Sequence, residues 1–146
     1  MPRRMLGVMA AVVLALGLAA CDDTTETPNP VTPTTPTYVD KTETFTGTVT
    51  ASETKSHFFA VQPGRVTATL TTLAPESTTP VGVNLGTFDG LSCNPVVANA
   101  TAVQGNSLVG TASSATTLCL QVYDVGNLTD KTQNYTVTVV YKVTGS

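Results

Sequence analysis

From residue 38 onward, apolar and polar positions alternate along the chain with a period of two, and threonine fills many of the polar positions. Alternation over about five to eight residues indicates β-strands that bury one face and expose the other. Threonine favours strands because its branched Cβ restricts the side chain. The predicted inward residues form six sets: Phe45, Gly47 and Val49; His57, Phe59 and Val61; Val66, Ala68 and Leu70; Val81, Val83 and Leu85; Leu118, Leu120 and Val122; and Tyr135, Val137, Val139 and Tyr141.

Turn-forming pairs separate these segments: Pro63-Gly64, Pro75-Glu76, Asp89-Gly90, Gly105-Asn106 and Gly126-Asn127. We therefore predict an all-β fold, a single antiparallel β-sandwich of about 7–8 strands, with a closed β-barrel as the structural alternative. The segment from Asp89 to Ala100 alternates least and is predicted to be irregular. Because tryptophan is absent, other aromatic residues are expected to supply the bulk of the core: Phe45, Phe59, Tyr123 and Tyr135.

The N-terminal segment has a different pattern. Arg3 and Arg4 precede an apolar run that ends in small residues before Cys21. This layout is typical of a secretory signal peptide, which we predict over residues 1–20 as a helix. The run is shorter than the roughly 20 apolar residues of a membrane-spanning helix, and acidic residues follow it.

The stretch Leu18-Ala19-Ala20-Cys21 resembles the lipobox of bacterial lipoproteins. The resemblance implies cleavage before Cys21, a diacylglycerol thioether on its sulfur and acylation of the new amine with a fatty acid such as palmitate. Three acyl chains, at about 0.8 kcal/mol per buried CH₂, make such an anchor effectively permanent. The alternative is an ordinary secretory signal cleaved near Ala20. Lipidation predicts a location in the cell envelope, periplasmic or at the surface, and leaves the choice of inner or outer membrane open.

Residues 22–37 consist largely of Thr, Pro, Asp and Asn. Such a segment buries too little apolar surface to fold and favours an extended polyproline conformation. At ~3.1 Å per residue, its sixteen residues reach at most about 50 Å. The predicted organisation is a signal peptide over 1–20, a lipidated cysteine with a disordered tether over 21–37, and a β-sandwich domain over 38–146.

The mature chain is acidic. Removal of Arg3 and Arg4 with the signal segment leaves five basic against ten acidic residues, a net charge of −5. Nucleic-acid binding requires a basic footprint, so we expect no nucleic-acid partner.

Three cysteines are present. With Cys21 assigned to lipid, Cys93 and Cys119 remain, and an even pair in an oxidising compartment indicates one disulfide. Two free buried thiols are the alternative.

Two parts of the chain resemble bacterial pre-peptidase C-terminal domains. The first is Phe45-x-Gly47-x-Val49, then His57-Phe58-Phe59-Ala60-Val61, then Pro63 to Leu70; the second is Leu118 to Asp124 with Tyr135 to Val139. The resemblance implies a small β-sandwich of a kind appended to secreted peptidases. Some members of this domain family bind calcium, and some bind a polymer such as collagen. The sequence has no peptidase domain, so we carry over the fold and no functional residue.

Candidate chemistry is sparse. His57 is the one histidine, it falls in a predicted strand, and no Gly-x-Ser-x-Gly motif accompanies it. No Cys/His cluster remains for zinc. Calcium, which takes several oxygen ligands, has weak candidates in Asp124, Asn127 and Asp130, with Asp89 as another, although Asp and Asn in such positions more often cap turns.

These patterns predict a lipid-anchored envelope protein whose β-sandwich is a non-catalytic binding or structural module. We expect no enzyme activity and no cofactor, with calcium as the one candidate. The predicted partners are the membrane, through the anchor, and an envelope protein or polysaccharide. The alternative function is an accessory module that presents or captures a polymeric substrate for a secreted peptidase, and a hydrolase ranks third.

Overall fold

The computed structural model describes residues 34–145, and this part of the chain contains eight β-strands and no helix. The predicted signal peptide, Cys21 and most of the predicted tether lie outside the described residues. The strands are β1 (Tyr38–Val49), β2 (Thr54–Val61), β3 (Gly64–Ala74), β4 (Val81–Phe88), β5 (Cys93–Ala102), β6 (Ser107–Ala112), β7 (Thr116–Tyr123) and β8 (Gln133–Thr144).

The strands form two four-stranded antiparallel sheets. The first sheet has the order β1-β8-β3-β6, and the second has the order β2-β7-β4-β5. Because the sheets are separate and enclose one core, the fold is a β-sandwich rather than a closed barrel. The prediction of an all-β sandwich is confirmed.

The core follows the predicted alternation. The inward residues of β3, β4, β7 and β8 are almost fully buried, and Val49, Phe59 and Val61 join them from the first two strands. Phe45 is partly buried and packs against this cluster. Tyr123 does not pack into the core. Its ring lies against Gly82, which faces outward because it lies between the inward-facing Val81 and Val83. The ring therefore covers the outer face of the second sheet.

Strand β3 contains an irregularity that the alternation did not predict. The register with β8 shifts between Leu70 and Thr72. As a result Thr71 and Thr72 are both exposed, and Leu73 is buried in their place. An extra residue of this kind bends the strand and moves its next side chain to the other face.

The prediction of an irregular segment from Asp89 to Ala100 is wrong, because β5 begins at Cys93. This strand lies at an edge of the second sheet, and its register with β4 shifts twice. Most of its side chains are exposed, and it contains Pro95. An edge strand has one free side and tolerates proline and bulges, so its sequence alternates weakly.

Candidate functional site

The cysteine pair joins two strands that are not neighbours. Cys93 at the start of β5 and Cys119 in β7 form a disulfide with their Cα atoms 5.8 Å apart, although β4 lies between these strands in the sheet. A Cβ on Gly86 of β4 would lie less than 3.0 Å from the carbonyl oxygen of Asn94. Because Gly86 has no side chain, the backbone of β5 crosses β4 closely there and brings Cys93 to Cys119. The predicted disulfide is confirmed.

His57 lies half-buried at the rim between the sheets. Its Nε2 is 2.8 Å from Tyr135 Oη, and its ring stacks on Phe45 with centroids 5.0 Å apart. Burial lowers the pKa of His57 below its ordinary value of 6.5. Burial, with a smaller contribution from the charge of Glu53, raises the pKa of Tyr135 to about 12. Both side chains are therefore neutral at pH 7 and form one hydrogen bond inside an aromatic cluster.

Gly47 makes room for this cluster. A Cβ at Gly47 of β1 would lie less than 3.0 Å from Tyr135 Oη. The ring of Tyr135 thus extends over β1 to meet His57 of β2. The arrangement closes one side of the core with a polar pair.

The strongest calcium candidate, Asp124, binds its own loop. Its Oδ1 accepts hydrogen bonds from the backbone N–H groups of Gly126, Asn127 and Leu128 at 2.9–3.1 Å. Its Oδ2 accepts one from the N–H of Ser52 at 2.9 Å, and this bond is the largest cause of the lowered pKa of Asp124. Both oxygens therefore hold the loop after β7 and tie it to the β1–β2 turn.

Asn127 and Asp130 do not join Asp124 in a ligand set. The Asn127 Nδ2 donates to the carbonyl oxygen of Pro80 at 3.2 Å. Asp130 has a φ of 56°, a left-handed conformation that Asp and Asn adopt more readily than other side chains. Within residues 34–145, no three His, Cys, Asp or Glu side chains gather into a group that could hold a metal ion.

Asp89, the remaining calcium candidate, caps the turn between β4 and β5. Its Oδ1 accepts the backbone N–H groups of Leu91 and Ser92 at 2.8 and 2.7 Å. Its Oδ2 accepts the Ser92 hydroxyl and the Asn94 amide. These four bonds, led by the Ser92 N–H, hold the pKa of Asp89 well below its usual range. The carboxylate sets the path of the chain immediately before Cys93.

A cleft of about 180 Å³ opens between the two sheets on the side where β5 and β6 are the edge strands. Its lining combines aliphatic side chains with hydroxyl groups. None of the lining residues is charged: Val66, Leu85, Gly86, Thr87, Val96, Val97, Gly110, Thr111, Ala112, Ser113, Ser114, Thr116 and Leu118.

Sequence reasoning missed this cleft because it missed two of the strands that line it. The alternation of apolar and polar positions identifies neither β5 nor β6, and the cleft opens where these two edge strands face each other. Glycine inside a strand was the available signal, because it marks a close backbone approach or an open space. Gly86 marks the approach of β5, and Gly110 faces the cleft.

No protein-family model matches the chain, and no curated protein matches it, so the resemblance to pre-peptidase C-terminal domains stays a prediction. Within the described residues no helix is long and apolar enough to cross a membrane.

Two solved structures resemble the chain in part. One is PliG of Aeromonas hydrophila, a periplasmic lysozyme inhibitor of g-type lysozyme, with a TM-score of 0.43, 15% identity, and coverage of 74% of this chain and 88% of PliG. The other belongs to the disulfide-linked pili of Bacillus endospore appendages, with a TM-score of 0.41, 16% identity, and coverage of 75% of this chain and 92% of that chain. At these scores neither likeness bears on function.

Proposed function

We propose that this protein is a lipid-anchored, non-catalytic binding module of the bacterial cell envelope. The supporting observation is the use of its three cysteines. Cys93 and Cys119 are joined in a disulfide, which is typical of proteins outside the cytoplasm. Cys21 is then the one cysteine left, and it follows the lipobox-like residues. Export through the lipoprotein route accounts for both the disulfide and the lipid on Cys21.

The titratable groups described above support a non-catalytic role. General acid–base catalysis requires a group that exchanges a proton with substrate near neutral pH. His57 faces Tyr135, whose hydroxyl does not ionise near that pH. Asp89 and Asp124 direct their oxygens to backbone N–H groups of their own loops. The cleft between β5 and β6 supports a binding role, because it offers an uncharged, mostly aliphatic concavity.

Anchoring is tested with the full chain expressed in a bacterium fed an alkyne analogue of palmitate. We expect the wild-type protein to carry the label and to partition into the membrane fraction. A Cys21→Ser variant should lose both properties. The matched control replaces Cys93 and Cys119 with serine, which removes the disulfide and should leave the label in place. Equal labelling of wild type and Cys21→Ser, or no labelling of wild type, would refute the proposal.

A further inference from the structure

The four edge strands of the sandwich differ in how they discourage pairing with other chains. Native sheets protect exposed edges with charges, proline or bulges. β1 carries charged residues, beginning with Asp40 and Lys41, and β2 carries Lys55. β5 contains Pro95 and two register shifts. β6 has the sequence Ser-Leu-Val-Gly-Thr-Ala, with neither a charge nor a proline, over six residues, an ordinary strand length.

The outer side of β6 has hydrogen-bonding groups available. Within residues 34–145, β6 pairs with β3 alone. Next to this ladder, Leu70 N–H donates to the carbonyl oxygen of Asn106 at 2.9 Å. Hydrogen-bonded and non-bonded pairs alternate along an antiparallel ladder, so the N–H groups of Leu108 and Gly110 point to β3. Those of Val109 and Thr111 consequently point to the open edge.

The cleft lies beside this edge. A strand added next to β6 would run about 4.8 Å from it, and every second side chain would point inward. Those side chains would enter the space between β6 and β5, where the cleft opens. At about 180 Å³ the cleft is smaller than the roughly 300–1,000 Å³ of pockets that hold drug-sized ligands. Its size therefore suits side chains of a peptide better than a whole small molecule.

We propose that β6 accepts an extended, uncharged peptide segment of a partner protein as a fifth strand of the first sheet. Main-chain hydrogen bonds to Val109 and Thr111 hold the segment, and aliphatic side chains at alternate positions fill the cleft. The uncharged lining favours uncharged side chains, because a charged group placed there would lose its hydration without gaining a partner. This inference names the class of ligand for the proposed binding module and rests on that function.

The test uses the full chain in detergent and a phage-displayed library of random linear peptides longer than β6. We expect enrichment of uncharged sequences that alternate aliphatic and polar residues. Synthetic versions of the enriched peptides should slow hydrogen exchange at the Val109 and Thr111 amides. No enrichment, or protection confined to other strands, would overturn the proposal.

Two variants and a control make the test specific. Val109→Pro removes an N–H on the open edge without removing one from the β3 ladder, and should weaken peptide binding at least about tenfold. Val109→Thr keeps that N–H and should bind as wild type does. Gly110→Ala places a methyl 3.5 Å from Leu85 and 3.9 Å from Val97, so it should weaken binding by narrowing the cleft while the domain stays folded.

Equal binding by wild type, Val109→Pro and Gly110→Ala would contradict the proposal. Self-association of the full chain that Val109→Pro abolishes would identify a second copy as the occupant and would also overturn it. Labelling at Cys21 is measured on the same variants. Loss of peptide binding with normal labelling would overturn strand addition alone. Normal peptide binding without labelling would overturn the anchoring proposal alone.

Discussion

His57 lies where half-burial makes the charged imidazolium costly. Its ring contacts Phe45 and its Nε2 meets a tyrosine hydroxyl with a pKa of about 12. Sequence reasoning placed this residue at an inward-facing position of a strand. It did not identify Tyr135 as the partner, because the two residues are 78 positions apart and meet only through packing of the two sheets.

The lowered pKa of His57 predicts a pH dependence of stability. Because the unfolded chain binds this proton more readily, the free energy of unfolding should be highest above pH 6.5 and should decrease as the pH falls below 6.5. Urea unfolding at several pH values measures this. A His57→Gln variant can hydrogen-bond to Tyr135 without titrating, so its free energy of unfolding should decrease less than that of the wild type over the same range. Parallel curves for both proteins would contradict the assignment.

Gly86 and Gly110 form a matched pair in which only the surroundings differ. A methyl on Gly86 would collide with backbone atoms of Asn94 and Pro95, whereas one on Gly110 meets side chains at ordinary contact distances. We expect Gly86→Ala to lower the free energy of unfolding by about 1–3 kcal/mol, as overpacking does. Gly110→Ala should leave it unchanged or raise it by up to about 1 kcal/mol. Denaturant titration measures the free energy of unfolding of both variants. Equal changes in the two variants would show that the close backbone approach at Gly86 does not affect stability.

At the scale of the strands, prediction succeeded where one face is buried. The residues from Val66 to Leu70 and from Tyr135 to Tyr141 alternate cleanly because only their inner faces meet the core. Prediction failed for β5, whose side chains are mostly exposed and whose register shifts, and the alternation does not identify β6. A strand at an edge is specified by its neighbour as much as by its own pattern, so the cleft that these strands line could not be predicted either.

The disulfide joins two strands, β5 and β7, whose proximity the alternation of apolar and polar positions does not predict. It ties the start of β5 to β7 and closes a loop with a sequence separation of 26. By the chain-entropy model a loop of this length contributes about 3 kcal/mol. The variant with serine at Cys93 and Cys119 should lose about that much stability in urea. The oxidised wild-type protein should show no reactive thiol at either position under denaturant, and a reactive thiol there would contradict the bridge.

Two acidic side chains organise loops of the domain. Asp89 and Asp124 each accept four hydrogen bonds within the domain. A calcium ion would have to displace these bonds to gain carboxylate ligands. We therefore expect the same melting temperature in millimolar calcium and in chelator. Differential scanning calorimetry checks this, and a reproducible rise of several degrees with calcium alone would show that these loops bind the ion.

We propose that lipid on Cys21 holds this protein, and with it the folded domain, in the membrane. Intact-mass spectrometry of the protein purified from bacterial membranes tests it most directly. We expect an N-terminus at Cys21, a mass higher than that of the polypeptide by a diacylglycerol group and an additional acyl chain, and an intact Cys93–Cys119 bridge. An N-terminus elsewhere, or an unmodified Cys21 in the mature protein, would contradict it.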